Sequence, residues 1–204
     1  MGWSVSFACC RSADPAAVFR PGVTADPAAA ASFARGLYPA ATLTETGDTV
    51  LDFALRPYDD ELFVGAYDGA VLLCDRRLFR LDDDARHIVD RAACALPGAS
   101  CGVLVLESVV SSCWFRWYDS GELRREVLVT AEDGVVVDQG ARLPAEEPFW
   151  RELDGGAADV PLPFDQEDFG LALAGACIFG RGIAERGADG FLPLELPVRR
   201  FKLS

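Results

Sequence analysis

Apolar and polar residues alternate from Trp3 to Ala8, with Trp3, Val5 and Phe7 on one face, so the chain is expected to open on a β-strand. Two Asp-Pro pairs follow, Asp14-Pro15 and Asp26-Pro27, each an N-cap with proline at the first helical position. The second predicts a helix to Leu37, with Ala30, Phe33, Ala34 and Leu37 on one face and Pro39 as its stop. Thr42 to Leu55 reads as a hairpin about Gly47-Asp48, and Glu61 to Leu73 as another turning at Asp68-Gly69. Asp82-Asp83-Asp84 then complements the positive end of a helix whose stripe is Ile88, Val89, Ala92, Ala93 and Leu96. The continuous apolar run Val103 to Leu106 predicts a central strand.

The most aromatic stretch comes next. Ser112 to Tyr118 and Glu122 to Val129 predict a hairpin closed by Ser120-Gly121. A two-residue loop sets Asp119 opposite Glu122, Trp117 opposite Arg124 and Phe115 opposite Glu126. Trp114, Arg116, Tyr118, Leu123, Arg125 and Val127 would share the other face. An exposed Trp117–Arg124 contact would contribute about 0.5–1 kcal/mol of cation–π attraction. Beyond it, residues 140–165 are expected to form an irregular Pro-rich wrap, and Glu167 to Phe179 a last helix. Residues 191–204 are expected to end the chain as an extended edge segment that tolerates Pro193 and Pro197. The whole predicts one α+β domain over residues 1–204, a mostly antiparallel sheet built from hairpins and packed by about three helices.

Composition narrows the function classes. Half the residues are apolar, which fits a packed core, and the net charge of −13 repels phosphate backbones, so no nucleic-acid partner is expected. Seven scattered cysteines without a C-x-x-C spacing are expected to be reduced, mostly as small buried hydrophobes, in a cytoplasmic setting. The N-terminal apolar run breaks at Arg11, unlike a secretory signal, and no apolar stretch approaches the length of a membrane span. A single lysine, Lys202, no asparagine and abundant Ala, Arg, Gly and Asp indicate a GC-rich bacterial genome.

Candidate chemistry is sparse. Gly98-Ala99-Ser100-Cys101-Gly102 matches G-x-S-x-G formally, but it lies between a helix and a strand, the reverse of a nucleophile elbow. His87, the sole histidine, borders the apolar stripe of its helix and is too far from Cys94 to pair with it. Gly175 to Gly182 lacks the lysine of a phosphate loop and ends a helix rather than starting one. No catalytic residue, cofactor or metal site is therefore assigned. The candidate ligand or partner surface is Trp114, Arg116, Trp117, Arg124, Glu107, Glu146 and Trp150, beside the 112–129 hairpin.

The chain also resembles a family of uncharacterised actinobacterial proteins of about 200 residues. The likeness runs through Phe63-Val64-Gly65, Val71-Leu72-Leu73-Cys74, Ser108-Val109-Val110 and Gly121-x-Leu123-Arg124-Arg125. It continues in Leu143-Pro144-x-Glu146-x-Pro148-Phe149-Trp150 and Leu162-Pro163-Phe164. The resemblance implies one cytosolic domain and brings no activity or cofactor. Two functions remain expected: a non-catalytic protein–protein interaction or structural accessory protein, with a protein partner or a second copy of itself, or a small enzyme or ligand-binding protein with an aromatic-lined pocket beside the hairpin.

Overall fold

The computed structural model describes residues 3–154 and 162–204. Its strands in chain order are β1 (Ser4–Arg11), β2 (Leu43–Val50), β3 (Glu61–Tyr67), β4 (Ala70–Asp75), β5 (Ser100–Glu107), β6 (Ser112–Asp119), β7 (Glu122–Thr130), β8 (Gly134–Gly140) and β9 (Pro197–Leu203). All pair antiparallel in one sheet of order β2-β9-β3-β4-β1-β5-β6-β7-β8. The helices are α1 (Pro15–Val18), α2 (Pro27–Leu37), α3 (Leu51–Ala54), α4 (Asp83–Cys94), α5 (Glu147–Asp154) and α6 (Gln166–Ala174). Helix α6 runs on into a π-helical turn, Gly175–Phe179.

The sheet is covered on both faces, because its central strands carry apolar residues on both. Val5, Phe7, Leu104, Leu106 and Phe115 face one core with Trp150 of α5, Phe169 and Leu173 of α6, and Phe179. Ala8, Cys10, Val103, Val105 and Trp114 face a second core, closed by Ala30, Ala34 and Leu37 of α2 and by Ile88, Val89 and Ala92 of α4. Local signals place these helices as expected. Asp14, Asp26 and Asp82 each accept a backbone N–H of the turn they cap.

Other expectations are corrected. Among the described residues there are six helices rather than about three. Thr42 to Leu55 is not a hairpin: it is the single strand β2, bulged between Glu45 and Gly47, followed by α3. The C-terminal strand β9 is not an edge; it lies between β2 and β3, with Pro197 at its first residue. The wrap contains a 3₁₀ turn, Pro144–Glu146, and then α5, because Pro144 and Pro148 occupy first-turn positions where a missing N–H costs nothing. Residues 155–161 of that wrap lie outside the described residues. Strand β8 was not foreseen. Cys10 and Cys101, directly opposite on β1 and β5, form a disulfide, so they are not the reduced pair expected.

The aromatic hairpin closes as predicted over Ser120 and Gly121, both at positive φ (53° and 82°), a type I′ turn. Asp119 faces Glu122, but a bulge then leaves Arg124 without a partner residue and shifts the register. Trp117 therefore pairs with Arg125, and Phe115 with Val127 rather than Glu126. A one-residue slip turns each later side chain to the opposite face. Arg125 thus joins the α6 side, where it is fully buried.

Candidate functional site

The seven residues singled out in the sequence do not converge on one pocket. Trp114 and Trp150 lie in different cores, on opposite faces of the sheet. Trp114 donates its indole N–H to Glu126 (2.9 Å), which also accepts from Arg86 (2.6 Å). Arg116, buried beside it, donates to Asp90 (3.3 Å), and so does Tyr118 (2.6 Å). These bonds tie α4 to the hairpin. On the other face Glu146 receives two hydrogen bonds from Arg125 (2.8 and 2.6 Å), one from the Trp150 indole (2.7 Å) and one from the Leu143 N–H (2.8 Å). Arg125 also donates to Asp138 (2.5 Å). Burial disfavours the Arg125 cation, yet these bonds outweigh it and its pKa is raised.

Trp117 is half-buried under the Arg11 guanidinium, 5.9 Å from its ring centroid, and Arg124 bonds Glu122 (2.7 Å) instead of Trp117. Glu107 accepts from Ser4 (2.9 Å) and lines a cleft of about 180 Å³ with Trp3, Asp165 and Glu167. Each of these side chains is accounted for by structure. The aromatic faces of the hairpin are covered.

The open chemistry lies elsewhere, between α2 and α4. A cavity of about 600 Å³ is lined by Tyr38, Arg77, Asp84, His87, Ile88, Asp90, Arg91 and Cys94. A second, of about 520 Å³, is lined by Ala29, Ser32, Phe33, Gly36, Leu37, Ala95 and again by Arg91 and Cys94. The two adjoin along α4 and form one groove. Four of its lining residues, Ala29, Ser32 and Gly36 of α2 and Ala95 at the end of α4, are small and leave space that larger side chains would fill.

Its polar end is built in layers. Tyr38, buried just past the end of α2, donates its hydroxyl to Asp75. Burial and the nearby Asp75 carboxylate raise the phenol far above its usual pKa, so it stays protonated. Arg77 grips the same carboxylate through Nε and Nη2, both at 3.0 Å, and stacks on the Tyr38 ring at 3.8 Å. Arg91 lies 6.0 Å from that ring. Among the described residues Arg91 makes no hydrogen bond and no ion pair. Asp90 is already engaged by Arg116 and Tyr118, while Asp84 lies near the start of α4.

His87 and Cys94 both line the groove but stand seven positions apart on α4, about 10.5 Å along its axis. They are out of hydrogen-bond reach and form no nucleophile–base pair. Among the described residues no group of three or more His, Cys, Asp and Glu is arranged to hold a metal ion.

The model of a family described only as a family of unknown function (DUF6928) matches residues 5–201. The chain belongs to that family. No curated protein and no solved structure matches it. The family match spans both faces of the sheet, the groove and the hairpin alike. No helix among the described residues is long and apolar enough to cross a membrane.

The groove residues were missed for a physical reason. Asp84, His87 and Arg91 recur at i, i+3 and i+7, a polar seam beside the apolar stripe of α4. That spacing is visible in the sequence, but it also describes any solvated helix face. Only the placement of α2 beside α4 turns it into a wall, and β3, β4 and their turns separate the two helices in sequence.

Proposed function

We propose that this protein is a non-catalytic binding protein for a small amphipathic molecule, held in the groove between α2 and α4. One observation carries the reading: two adjoining cavities, of about 600 and 520 Å³, share Arg91 and Cys94 as a common wall. Volumes of that size suit small-molecule sites, as does a mostly apolar lining with a few polar groups at one end. The aromatic-lined pocket expected beside the hairpin is replaced by this groove, because Trp114 and Trp150 are on opposite faces.

Cys94 supplies the test. It is exposed, whereas Cys9, Cys74 and Cys113 are buried. Burial pushes the Cys9 thiol up to about 12, and burial together with Glu146 pushes Cys177 up to about 11. A maleimide at neutral pH should therefore modify Cys94 first. The fluorescent probe anilinonaphthalene sulfonate should bind the native protein, and a bulky maleimide on Cys94 should weaken that binding at least about fivefold. Unchanged binding after complete modification would contradict the reading.

A second reading, contact with a protein partner or a second copy, is favoured by Val109 and Val110, exposed at 87% and 61% in the β5–β6 turn. Light scattering and pull-down with the wild type and a Val109→Ser/Val110→Ser double variant test it; a monomer with no partner at micromolar concentration counts against it. We further assign the protein to an actinobacterial cytoplasm, on its composition and the resemblance of its motifs. Cell fractionation checks this: the protein should be recovered with the cytosolic fraction, and recovery outside the cell would contradict the assignment.

A further inference from the structure

We infer that the ligand of the α2–α4 groove is an organic monocarboxylate, its head at Arg91 and its apolar body along Phe33 and Leu37. The inference rests on the reading of the groove as a ligand site and adds the chemical class and orientation of the occupant. Three observations carry it. The first is the state of the two arginines. Arg77 is fixed by Asp75 through Nε and Nη2, and its stacking on Tyr38 sets the plane of the guanidinium. Its third nitrogen, Nη1, has no hydrogen bond among the described residues. Arg91 has neither hydrogen bond nor ion pair among them, and it faces the same tyrosine ring. Two guanidinium groups with N–H donors unused among the described residues thus border one cavity: Arg77, held rigid and its charge balanced by Asp75, and Arg91. That is a preorganised carboxylate receptor.

The second observation is the asymmetry on either side of Arg91. Towards the end of α4 the lining is Phe33, Leu37, Ala29 and Ala95, which suits an apolar body. Towards the start of α4 it is His87 and Asp84. The head therefore sits at the seam and the tail points away from Asp84.

The third is the balance of charge. Asp90 is hydrogen-bonded by Arg116 and Tyr118, so it opposes a bound anion little. Asp84 stands seven positions from Arg91, about 10.5 Å along the helix, which exceeds the screening length of about 8 Å at physiological salt. A single negative charge is tolerated at Arg91. A dianion such as a phosphate monoester would meet the same carboxylates and the net charge of −13 with twice the repulsion.

The test displaces anilinonaphthalene sulfonate with decanoate and with decylammonium, which share a chain and differ in the sign of the head. Decanoate should displace it at a concentration at least about tenfold lower than decylammonium. Arg91→Gln should weaken decanoate about fivefold and leave decylammonium within about twofold. Arg91 is exposed and has no hydrogen bond or ion pair among the described residues, so this variant should keep the fold, and Arg91→Lys should recover part of the loss. Asp84→Asn should leave decanoate unchanged or tighter. Equal displacement by the two ligands, or preference for decylammonium, would overturn the inference while the groove remained a ligand site. Failure of both ligands to displace the probe, with probe binding unaffected by modification of Cys94, would overturn the groove reading itself.

Discussion

Arg125 and Arg91 stand on opposite faces of one sheet, and their surroundings differ in every respect that bears on binding. Arg125 is wholly buried and gripped by Glu146 and Asp138, on the face that also holds a mostly edge-to-face cluster of Phe149, Trp150, Phe164 and Phe169 with centroids 5.2–6.1 Å apart. Arg91 is exposed, unpaired among the described residues and bordered by small side chains. The first face is where the aromatic residues are dense; the second is where space and free donors are. Aromatic density in this chain marks closure. The proposed binding chemistry rests instead on Arg91, a cation with no hydrogen bond or ion pair among the described residues.

The largest test of that contrast is Glu146→Ala. It leaves Arg125 with Asp138 as its one carboxylate partner, beside the carbonyls of Glu126, Gln139 and Gly140, and the expected loss is about 3–5 kcal/mol in urea unfolding. A loss below about 1 kcal/mol would mean that water reaches Arg125 and the face is not sealed. Two glycines give the next comparison. A Cβ on Gly170 of α6 would lie 2.6 Å from Leu106 Cδ2 and 2.9 Å from Cys113 Sγ, so Gly170→Ala should destabilise by about 1–3 kcal/mol. A Cβ on Gly36 of α2 meets nothing within 4 Å, so Gly36→Ala should stabilise by about 0.5–1 kcal/mol through helix propensity alone. The same chemical change should have opposite signs on the two faces. Two destabilising results would close the groove as a real space.

Smaller effects follow. Asp138 is penalised by burial, but its hydrogen bonds with Arg125 and Arg142 prevail and lower its pKa. A carboxylate depressed in the folded state adds stability above its unfolded pKa, near 3.9, and loses it as pH falls through the folded value. Asp138→Asn should therefore flatten the acid limb of a stability–pH profile measured from about pH 5 downwards. Smallest of all, Arg91→Gln should change unfolding free energy by less than about 0.5 kcal/mol, since among the described residues only a distant contact with the Tyr38 ring, at 6.0 Å, is lost.

Much of the fold was legible where the determinants are local. Asp26-Pro27 and Asp82 announce α2 and α4 because an N-cap acts within one turn. Asp68-Gly69 and Ser120-Gly121 announce their hairpins because a tight turn needs residues that accept positive φ. The failures are non-local. Gly47 looks like a turn residue but serves a bulge in β2, whose partner β9 lies some 150 positions later. The bulge at Arg124 depends on how β7 meets both β6 and β8, and it moves Arg125 across the sheet. Pro148 reads as a helix breaker unless its place in the first turn is known. The candidate site was harder still. Tyr38, Arg77 and Arg91 come from a helix end, a 3₁₀ turn after β4 and the outer face of α4, and only the folded sheet joins them.

A ligand held in the α2–α4 groove should leave the aromatic hairpin untouched. Backbone amide chemical shifts followed during a decanoate titration of ¹⁵N-labelled protein test it most directly. The account predicts saturable shifts centred on Ala29 to Tyr38 and on His87 to Ala95, with residues 112–129 of the hairpin little changed. Shifts centred on the hairpin, or none at millimolar decanoate, would contradict it.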